Sequence, residues 1–318
     1  MLVCVIRGPS YTGSTLALGA SRLGSIPSGP IMWFQLALIS ALLLAVRRIY
    51  EKEFTGLFGN FSLAFALQIF SILPTLALFL FLPIPHDIGA LGVRFWGPLF
   101  IIWIVILPVQ TYFLYRSLRE GELSEVTPVS ALLPVFNIGS SFFIIHELPT
   151  MIGGIGILAT VIGTYLLLTD LPKKEKRVGY NRPVLFMVIT ILCMAIGSTL
   201  DKVAIEASTP VFYSFVNIAG GAVVYLVMAF LCGEQKELLR IKEVFWTLCA
   251  LGIVLALAFV AFTSAFVLGP TSYTLAIRSG GFLVAALWGV VFLRESLSKR
   301  KIAAFALFIL GTFALSVG

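Results

Sequence analysis

Ten runs of about 20 mostly apolar residues dominate this sequence, and a run of that length crosses the hydrocarbon core of a bilayer as one α-helix. The alternative, a membrane barrel, would show alternating segments of about ten residues, whereas these runs are apolar on every face. The runs lie at 31–47, 60–82, 96–116, 126–145, 150–169, 183–203, 210–232, 244–267, 273–293 and 301–317. The sequence therefore predicts an all-α membrane protein with ten transmembrane helices.

Composition supports the same class and argues against several partners. Hydrophobic residues make up 59% of the chain and charged residues 12%, too few to cover a soluble core. A net charge of +7 is accounted for by a basic surface facing anionic lipid, so we expect no nucleic-acid partner. The four cysteines form no CxxC pair, and His86 and His146 lie far apart, so we expect no metal and no cofactor.

The chain contains an internal repeat. Residues 121–164 align without a gap on residues 269–312 at an offset of 148, which superposes Glu147 on Glu295 at the bend of a hydrophobic hairpin. Each half then holds five spans, and an odd number of spans inverts the second copy in the membrane. The predicted segments are a disordered N-terminal extension at 1–29, a first five-helix repeat at 30–170, a basic cytoplasmic linker at 171–182 and a second five-helix repeat at 183–318.

Basic residues are distributed unevenly between the connections. The odd-numbered connections hold 17 of them, and the even-numbered ones hold only Arg94 and Lys202. Since cytoplasmic loops carry an excess of Lys and Arg, the odd connections are predicted to be cytoplasmic and both termini extracytoplasmic. Whether Met1 or Met32 starts the protein is left open.

Several of these features together resemble the EamA-like transporters of the drug/metabolite transporter superfamily. They are the two five-span halves, the LxPVF segment at 132–136, the glutamates of HELPT and RESLS, and the closing Gly-Thr pairs. The resemblance covers about residues 31 to 318. The sequence departs from it in two ways: many such proteins keep both termini in the cytoplasm, and Phe282 stands where the repeat would place the counterpart of Pro134.

The resemblance implies a cell-membrane permease that moves a small metabolite by alternating access, and we expect export. Amino acids, sugars and amphipathic compounds are the substrate classes it suggests. In that family helices one, three, four, six, eight and nine line the cavity. The candidate substrate-binding residues on these helices are Gln35, Gln110, Asn137, Ser264 and Arg278. The alternative role for each polar residue is hydrogen bonding between helices.

Arg278 is the only basic residue in the interior of a predicted span, since the others within the span bounds lie at or next to a span end. A charge at a helix centre costs about 2.5–3.5 kcal/mol on insertion scales, which favours a functional reason for its presence. A carboxylate or another anionic substrate group is its natural partner, and no carboxylate is evident for it in the interior of a span. The competing interpretation is that Arg278 reaches the nearby membrane surface.

Four other charged residues have structural interpretations. Glu147 and Glu295 precede Thr150 and Ser298, which are suited to cap the helices that follow. Asp201 and Lys202 lie at the end of the sixth span, where they either meet substrate at the outer mouth or form a solvated helix end.

The same sequence bears on other classes of function. No span contains HExxH, GxSxG or paired aspartates, so we expect no enzyme. A lipid-headgroup flippase or a non-transporting adaptor stays open, and a cavity without a polar cluster would favour it. The first span has no carboxylate for proton antiport, which favours facilitated exchange or coupling through another group. A homodimer is also left open.

Overall fold

The computed structural model describes residues 32–54, 58–82, 85, 88–89, 91–121, 126–169, 182–281 and 298–317, and their regular elements are all helices. The helices are α1 Met32–Phe54, α2 Asn60–Ala77, α3 Val93–Glu120, α4 Leu133–Ile145, α5 Met151–Leu168, α6 Arg182–Glu206, α7 Pro210–Leu231, α8 Phe245–Leu268, α9 Thr271–Arg278 and α10 Lys299–Val317. Short 3₁₀ segments, Leu78–Leu80, Thr127–Leu132 and Glu237–Val244, adjoin α2, α4 and α8.

The predicted all-α membrane class is confirmed. Among the described residues, seven helical segments are long and apolar enough to cross a membrane, and the apolar helices Met32–Arg47 and Met151–Leu167 are shorter. The ten-span count and the inverted repeat stay predictions. The extension at 1–29, most of the linker at 171–182, the end of the ninth span and Glu295 lie outside the described residues.

Local sequence explains where several helices begin and end. Thr150 caps α5 by accepting a hydrogen bond from the Gly153 N–H at 3.0 Å, and Ser298 accepts from the Lys301 N–H at 3.1 Å, so both predicted caps are confirmed. His146 ends α4 in the left-handed conformation, with φ 55°. Gly233, with φ 77°, turns the chain after α7 so that Glu234 faces the start of α2.

Prolines mark irregular turns in three helices. Pro74 lies inside α2, and Pro134 follows the 3₁₀ segment at the start of α4. In α3, a π-helical segment, Ile102–Ile106, precedes Pro108, whose ring would clash with the carbonyl four residues before it in a regular helix. Within that wider turn, Trp103 Nε1 donates to Asn217 Oδ1 of α7 at 3.0 Å.

The connections between helices gather at two ends of the bundle. We call the end that holds residues 146–150, 207–209 and 269–270 the Glu147 end. The opposite end holds residues 58–60 and 232–237, and we call it the Glu234 end. The predicted basic connections belong to the Glu234 end: Arg119 donates to Asn60 Oδ1 at 3.4 Å, and the hydroxyl of Ser117 donates to the Pro183 carbonyl at 2.7 Å. Which end faces the cytoplasm stays a prediction.

Two kinds of contact build the interior. Helices α5 and α10 approach closely, since a Cβ added at Gly156 would lie 2.9 Å from the Gly311 carbonyl oxygen. Near the Glu147 end, by contrast, large side chains from five helices fill the core. This cluster includes Phe95, Leu99, Ala204, Ile205, Phe212, Tyr213, Phe262, Phe266 and Leu275. Small residues thus join α5 to α10, and aromatic residues pack α3, α6, α7, α8 and α9 together.

Candidate functional site

Asp201 and Lys202 lie in the last turns of α6, at the Glu147 end, and contact different partners. Lys202 Nζ donates to Glu147 Oε2 at 2.9 Å and to the Gly269 carbonyl at 3.3 Å. Its side chain is 13% exposed and that of Glu147 is 22% exposed, so this ion pair is largely shielded from solvent. The interpretation of these two residues as a solvated helix end is therefore wrong for Lys202.

Glu147 also caps α9. Its Oε1 accepts a hydrogen bond from the Thr271 N–H at 3.1 Å, and its Oε2 accepts from the Thr271 hydroxyl at 3.1 Å. The first N–H groups of a helix have no intrahelical acceptor and carry partial positive charge, so a carboxylate stabilises them. Glu147 is thus structural, as predicted, but the helix that it caps lies in the other half of the chain.

Asp201 belongs to a second group of polar side chains, formed by three helices. The Tyr213 hydroxyl of α7 donates to Asp201 Oδ1, and the positive charge of Arg278, on α9, acts on the same carboxylate. The Arg278 Cζ lies 3.8 Å from the centroid of the Phe262 ring, a cation–π contact. We call Asp201, Tyr213, Phe262 and Arg278 the Arg278 cluster.

The Arg278 cluster corrects one expectation. Sequence analysis finds no carboxylate for Arg278 in the interior of a span, yet the charge of Arg278 acts on Asp201, two residues before the end of the predicted span 183–203. Arg278 ends α9, seven residues after Thr271, which places it about 10 Å along the helix at 1.5 Å per residue. Arg278 and Asp201 are partly buried and Tyr213 is fully buried, so the cluster borders the aromatic core.

The other predicted site residues lie in different surroundings. Asn137 is fully buried in α4, and its amide donates to Ser198 Oγ at 2.9 Å and to the Ala195 carbonyl of α6 at 3.2 Å. The same amide donates to Thr199 Oγ1 at 3.2 Å. These bonds join α4 to α6, the alternative role considered for Asn137. Its contact with substrate stays a prediction.

Gln35, Gln110 and Ser264 are less enclosed. Gln110 of α3 and Ser264 of α8 are partly buried. Gln35 is exposed on α1, on the same face as Leu38 and Ile39, and this spacing gives an apolar stripe typical of contact with lipid. The substrate roles of these three residues stay predictions.

Sequence reasoning missed Tyr213 and gave Asp201 a minor role. The positions of these two residues could have indicated their contact. Asp201 lies near the end of α6 and Tyr213 near the start of α7, and only a short connection separates the two helices. Such residues at the facing ends of an antiparallel helix pair are neighbours. The nearness of Arg278 to this pair is evident only from the fold, because Arg278 lies 77 positions after Asp201 in the sequence.

Comparison with known proteins finds a family match in the second half of the chain. Residues 181–317 match the model of the EamA-like transporter family, a member of the drug/metabolite transporter superfamily. No curated protein matches the chain. A solved structure described only as the crystal structure of a protein has a TM-score of 0.70 and 18% sequence identity, over 92% of this chain and 99% of its own. At that identity the likeness concerns the fold alone.

Proposed function

We propose that this chain, whose residues 181–317 carry an EamA-like transporter domain, is a multi-pass permease that exports a small metabolite by alternating access. The observation that carries the proposal is the Arg278 cluster. Ionisable residues within membrane segments are costly and mark substrate or ion pathways. A carboxylate and a guanidinium from two helices of the second half therefore favour a passage for a charged or strongly polar solute.

The substrate that fits this site has an anionic or hydrogen-bond-accepting end. A guanidinium presents several N–H donors in one plane and binds carboxylates in a bidentate manner. Phe262 covers one face of the Arg278 guanidinium, with Cζ 3.8 Å from the ring centroid. Amino acids and sugar acids satisfy this requirement, with Asn137, Gln110, Gln35 and Ser264 as further candidate contacts.

A lipid-headgroup flippase or a non-transporting adaptor is the second candidate. A cavity without a polar cluster would favour this candidate. The charged and polar side chains of the Arg278 cluster therefore argue against it. The exposed faces of the helices are rich in large apolar residues, as lipid contact requires, and they favour a membrane location for either function.

Transport by purified protein in proteoliposomes tests the proposal. We expect Arg278→Ala to lower the efflux of a substrate found in a panel of labelled amino acids and sugar acids by roughly ten- to hundredfold, because a hydrogen bond to a charged group contributes about 1.5–3 kcal/mol. Arg278→Lys keeps the charge without the planar donor array and should restore part of the rate. The extracted yield of both variants should equal that of the wild type.

The matched control is Glu206→Gln, which removes a charge at the same end from an exposed pair with Arg94. Its efflux should equal the wild-type rate. Wild-type efflux by Arg278→Ala would show that Arg278 does not bind the substrate. If the protein moves a labelled lipid across the bilayer and transports none of the solutes in the panel, the flippase is favoured.

We also propose that the Glu234 end is cytoplasmic and that both termini are extracytoplasmic, on the basis of the basic connections. Cys232 is exposed at that end and provides a natural probe. A variant that keeps Cys232 as its one cysteine should resist an impermeant thiol reagent in intact cells and react after permeabilisation. Reaction in intact cells would reverse the orientation.

A further inference from the structure

Two groups of helices face each other at the Glu147 end, and each draws members from both halves of the chain. In the first, α6 packs against α3 and α4, and we call these three helices the α6 group. Within it, the hydroxyl of Ser140 in α4 donates to the Ala195 carbonyl of α6 at 3.0 Å. In the second, α1 packs against α8 and α9, and we call these the α8 group. Here Trp33 of α1 packs with Ala265 of α8 and Tyr273 of α9.

Polar contacts join the two groups at this end. Glu147 follows α4 and pairs with Lys202 of α6 at 2.9 Å, so the ion pair belongs to the α6 group. Both charged groups also reach the α8 group. Lys202 Nζ donates to the Gly269 carbonyl at 3.3 Å, and Glu147 accepts from the N–H and the hydroxyl of Thr271, each at 3.1 Å. One ion pair of the first group thus holds the first turn of α9 in the second.

Apolar contact closes the same end. Phe95 of α3 and Ile205 of α6 pack in one cluster with Phe262 of α8 and Leu275 of α9. Such packing excludes water, but it is not directional and does not by itself fix the position of one group against the other. The directional bonds of Glu147 and Lys202 therefore determine where the start of α9 lies.

The contacts described at the Glu234 end are arranged differently. The bond between Ser117 and Pro183 lies within the α6 group, and Glu234 binds the start of α2, a helix of neither group. These contacts can persist while the two groups move apart at the Glu147 end.

We propose that Glu147 and Lys202 form the gate of the Glu147 end. Their bonds to Gly269 and Thr271 keep this end closed, and the transporter opens toward that side only when they break. The inference rests on the proposed function, alternating access, and assigns one of its closures. Charged groups that are released from a contact regain hydration, which offsets much of the lost attraction, so such a contact suits a reversible closure.

The gate acts on the helix that carries the candidate substrate-binding residue. Thr271 begins α9 and Arg278 ends it, about 10 Å further along. A helix of about two turns moves as one body, so a shift that breaks the Thr271 bonds also moves Arg278. Opening of the Glu147 end is therefore linked to the position of Arg278.

The first test measures the distance between the groups and needs no substrate. Spin labels replace Phe143 of α4 and Leu268 of α8, both exposed, in a protein without its native cysteines. In lipid nanodiscs this parent should give one main distance. Glu147→Ala should add a longer distance and raise the ratio of open to closed molecules by roughly tenfold or more, the factor that one hydrogen bond to a charged group supplies. Glu206→Gln, in the exposed pair with Arg94, should keep the parent distribution.

An unchanged distribution in Glu147→Ala would show that the contact is a static staple and would overturn the inference. If Glu147→Ala fails to fold, Thr271→Pro replaces it, because proline is favoured at the first position of a helix and Pro270 already has the extended conformation that suits the residue before a proline. This change removes both donors to Glu147 and leaves its pair with Lys202. It should add the same longer distance.

The second test compares two fully buried threonines of α9. Thr271→Val removes the hydroxyl that bonds Glu147, and Thr274→Val removes one that donates to the Pro270 carbonyl of its own helix at 3.1 Å. The protein carries Ser272→Cys, at a position that is 3% exposed, as its one cysteine. Thr271→Val should raise the rate of reaction with a hydrophilic methanethiosulfonate by about tenfold, and Thr274→Val should leave it unchanged. Equal rates in the two variants would overturn the inference.

The two tests separate the gate from the proposed function. If the wild type moves none of the solutes in proteoliposomes, the result counts against the proposed function, while the distances and the thiol rates still decide whether Glu147 closes this end. If the wild type transports a solute and the variants change neither the distances nor the thiol rates, the function stands and the gate is wrong.

Discussion

At the Glu147 end a carboxylate of the first half caps a helix of the second half, and at the Glu234 end two carboxylates of the second half cap a helix of the first. Glu234 accepts from the N–H groups of Phe61 at 2.8 Å and Ser62 at 2.9 Å, and Glu237 accepts from the Gly59 N–H. Both contacts join the halves through the first turn of a helix, where N–H groups lack partners.

The two ends differ in what else the carboxylates contact. Glu147 also pairs with Lys202, and that lysine is adjacent in sequence to Asp201 of the Arg278 cluster. Glu237 also accepts from the hydroxyl of Ser62 at 2.9 Å, a neutral donor. A contact between halves at the Glu147 end is therefore built on balanced charges beside the candidate site. The contact at the Glu234 end is built on neutral donors of α2.

The largest stability effect should come from the charged contact. Glu147→Gln leaves the largely buried ammonium of Lys202 without its carboxylate, which should cost about 2–4 kcal/mol, near the lower range for a broken buried pair. The measurement is the apparent Tm in detergent. Glu206→Gln, in an exposed pair at the same end, should cost about 0–1 kcal/mol. Equal shifts in Tm would mean that the Lys202 pair behaves as a surface pair.

An intermediate effect is expected at the Glu234 end. The double variant Glu234→Ala, Glu237→Ala removes the caps of α2 and should cost about 1–3 kcal/mol, since one helix cap contributes about 0.5–2 kcal/mol. Added to Glu147→Gln, its shift in Tm should be additive, because the two contacts share no partner. Strong non-additivity would show that the two ends are energetically coupled.

Sequence reasoning succeeded where the partner is close along the chain. Thr150 and Ser298 were predicted to cap because the helices that they cap follow at once. Glu147 bonds Thr271 at a separation of 124 residues, and Glu234 bonds Phe61 at a separation of 173. The capping role of a glutamate is readable from its chemistry, but the identity of the capped helix depends on the packing of the two halves.

The Arg278 cluster illustrates the same limit at the candidate site. The cost of burying a charge singled out Arg278 from hydropathy alone. Asp201 received only a minor role because it lies near the end of an apolar run, where sequence cannot distinguish exposure to solvent from contact with a neighbouring helix. Asn137 was equally visible as a polar residue in a span, and the structure surrounds it with α6 acceptors.

The smallest effects should come from two tyrosine hydroxyls, one near each end. Tyr273→Phe removes a hydroxyl that bonds both the N–H and the side-chain oxygen of Thr150, at 3.0 and 3.1 Å, and should cost about 1 kcal/mol. Tyr225→Phe removes one longer bond, 3.3 Å from Thr111, and should cost about 0.5 kcal/mol. Thermal unfolding of both variants gives the order. A larger shift for Tyr225→Phe would reverse the ranking of the two ends.

The close approach of Gly156 and Gly311 has a practical consequence for spectroscopy. With no side chains between the two backbones, α5 and α10 pack closely and have little freedom to slide past each other without steric clash. Spin labels on their lipid-facing residues, such as Leu158 and Ile309, should keep one narrow distance distribution under every condition. That distribution provides the internal ruler against which changes in distance between the Glu147 and Glu234 ends are to be measured.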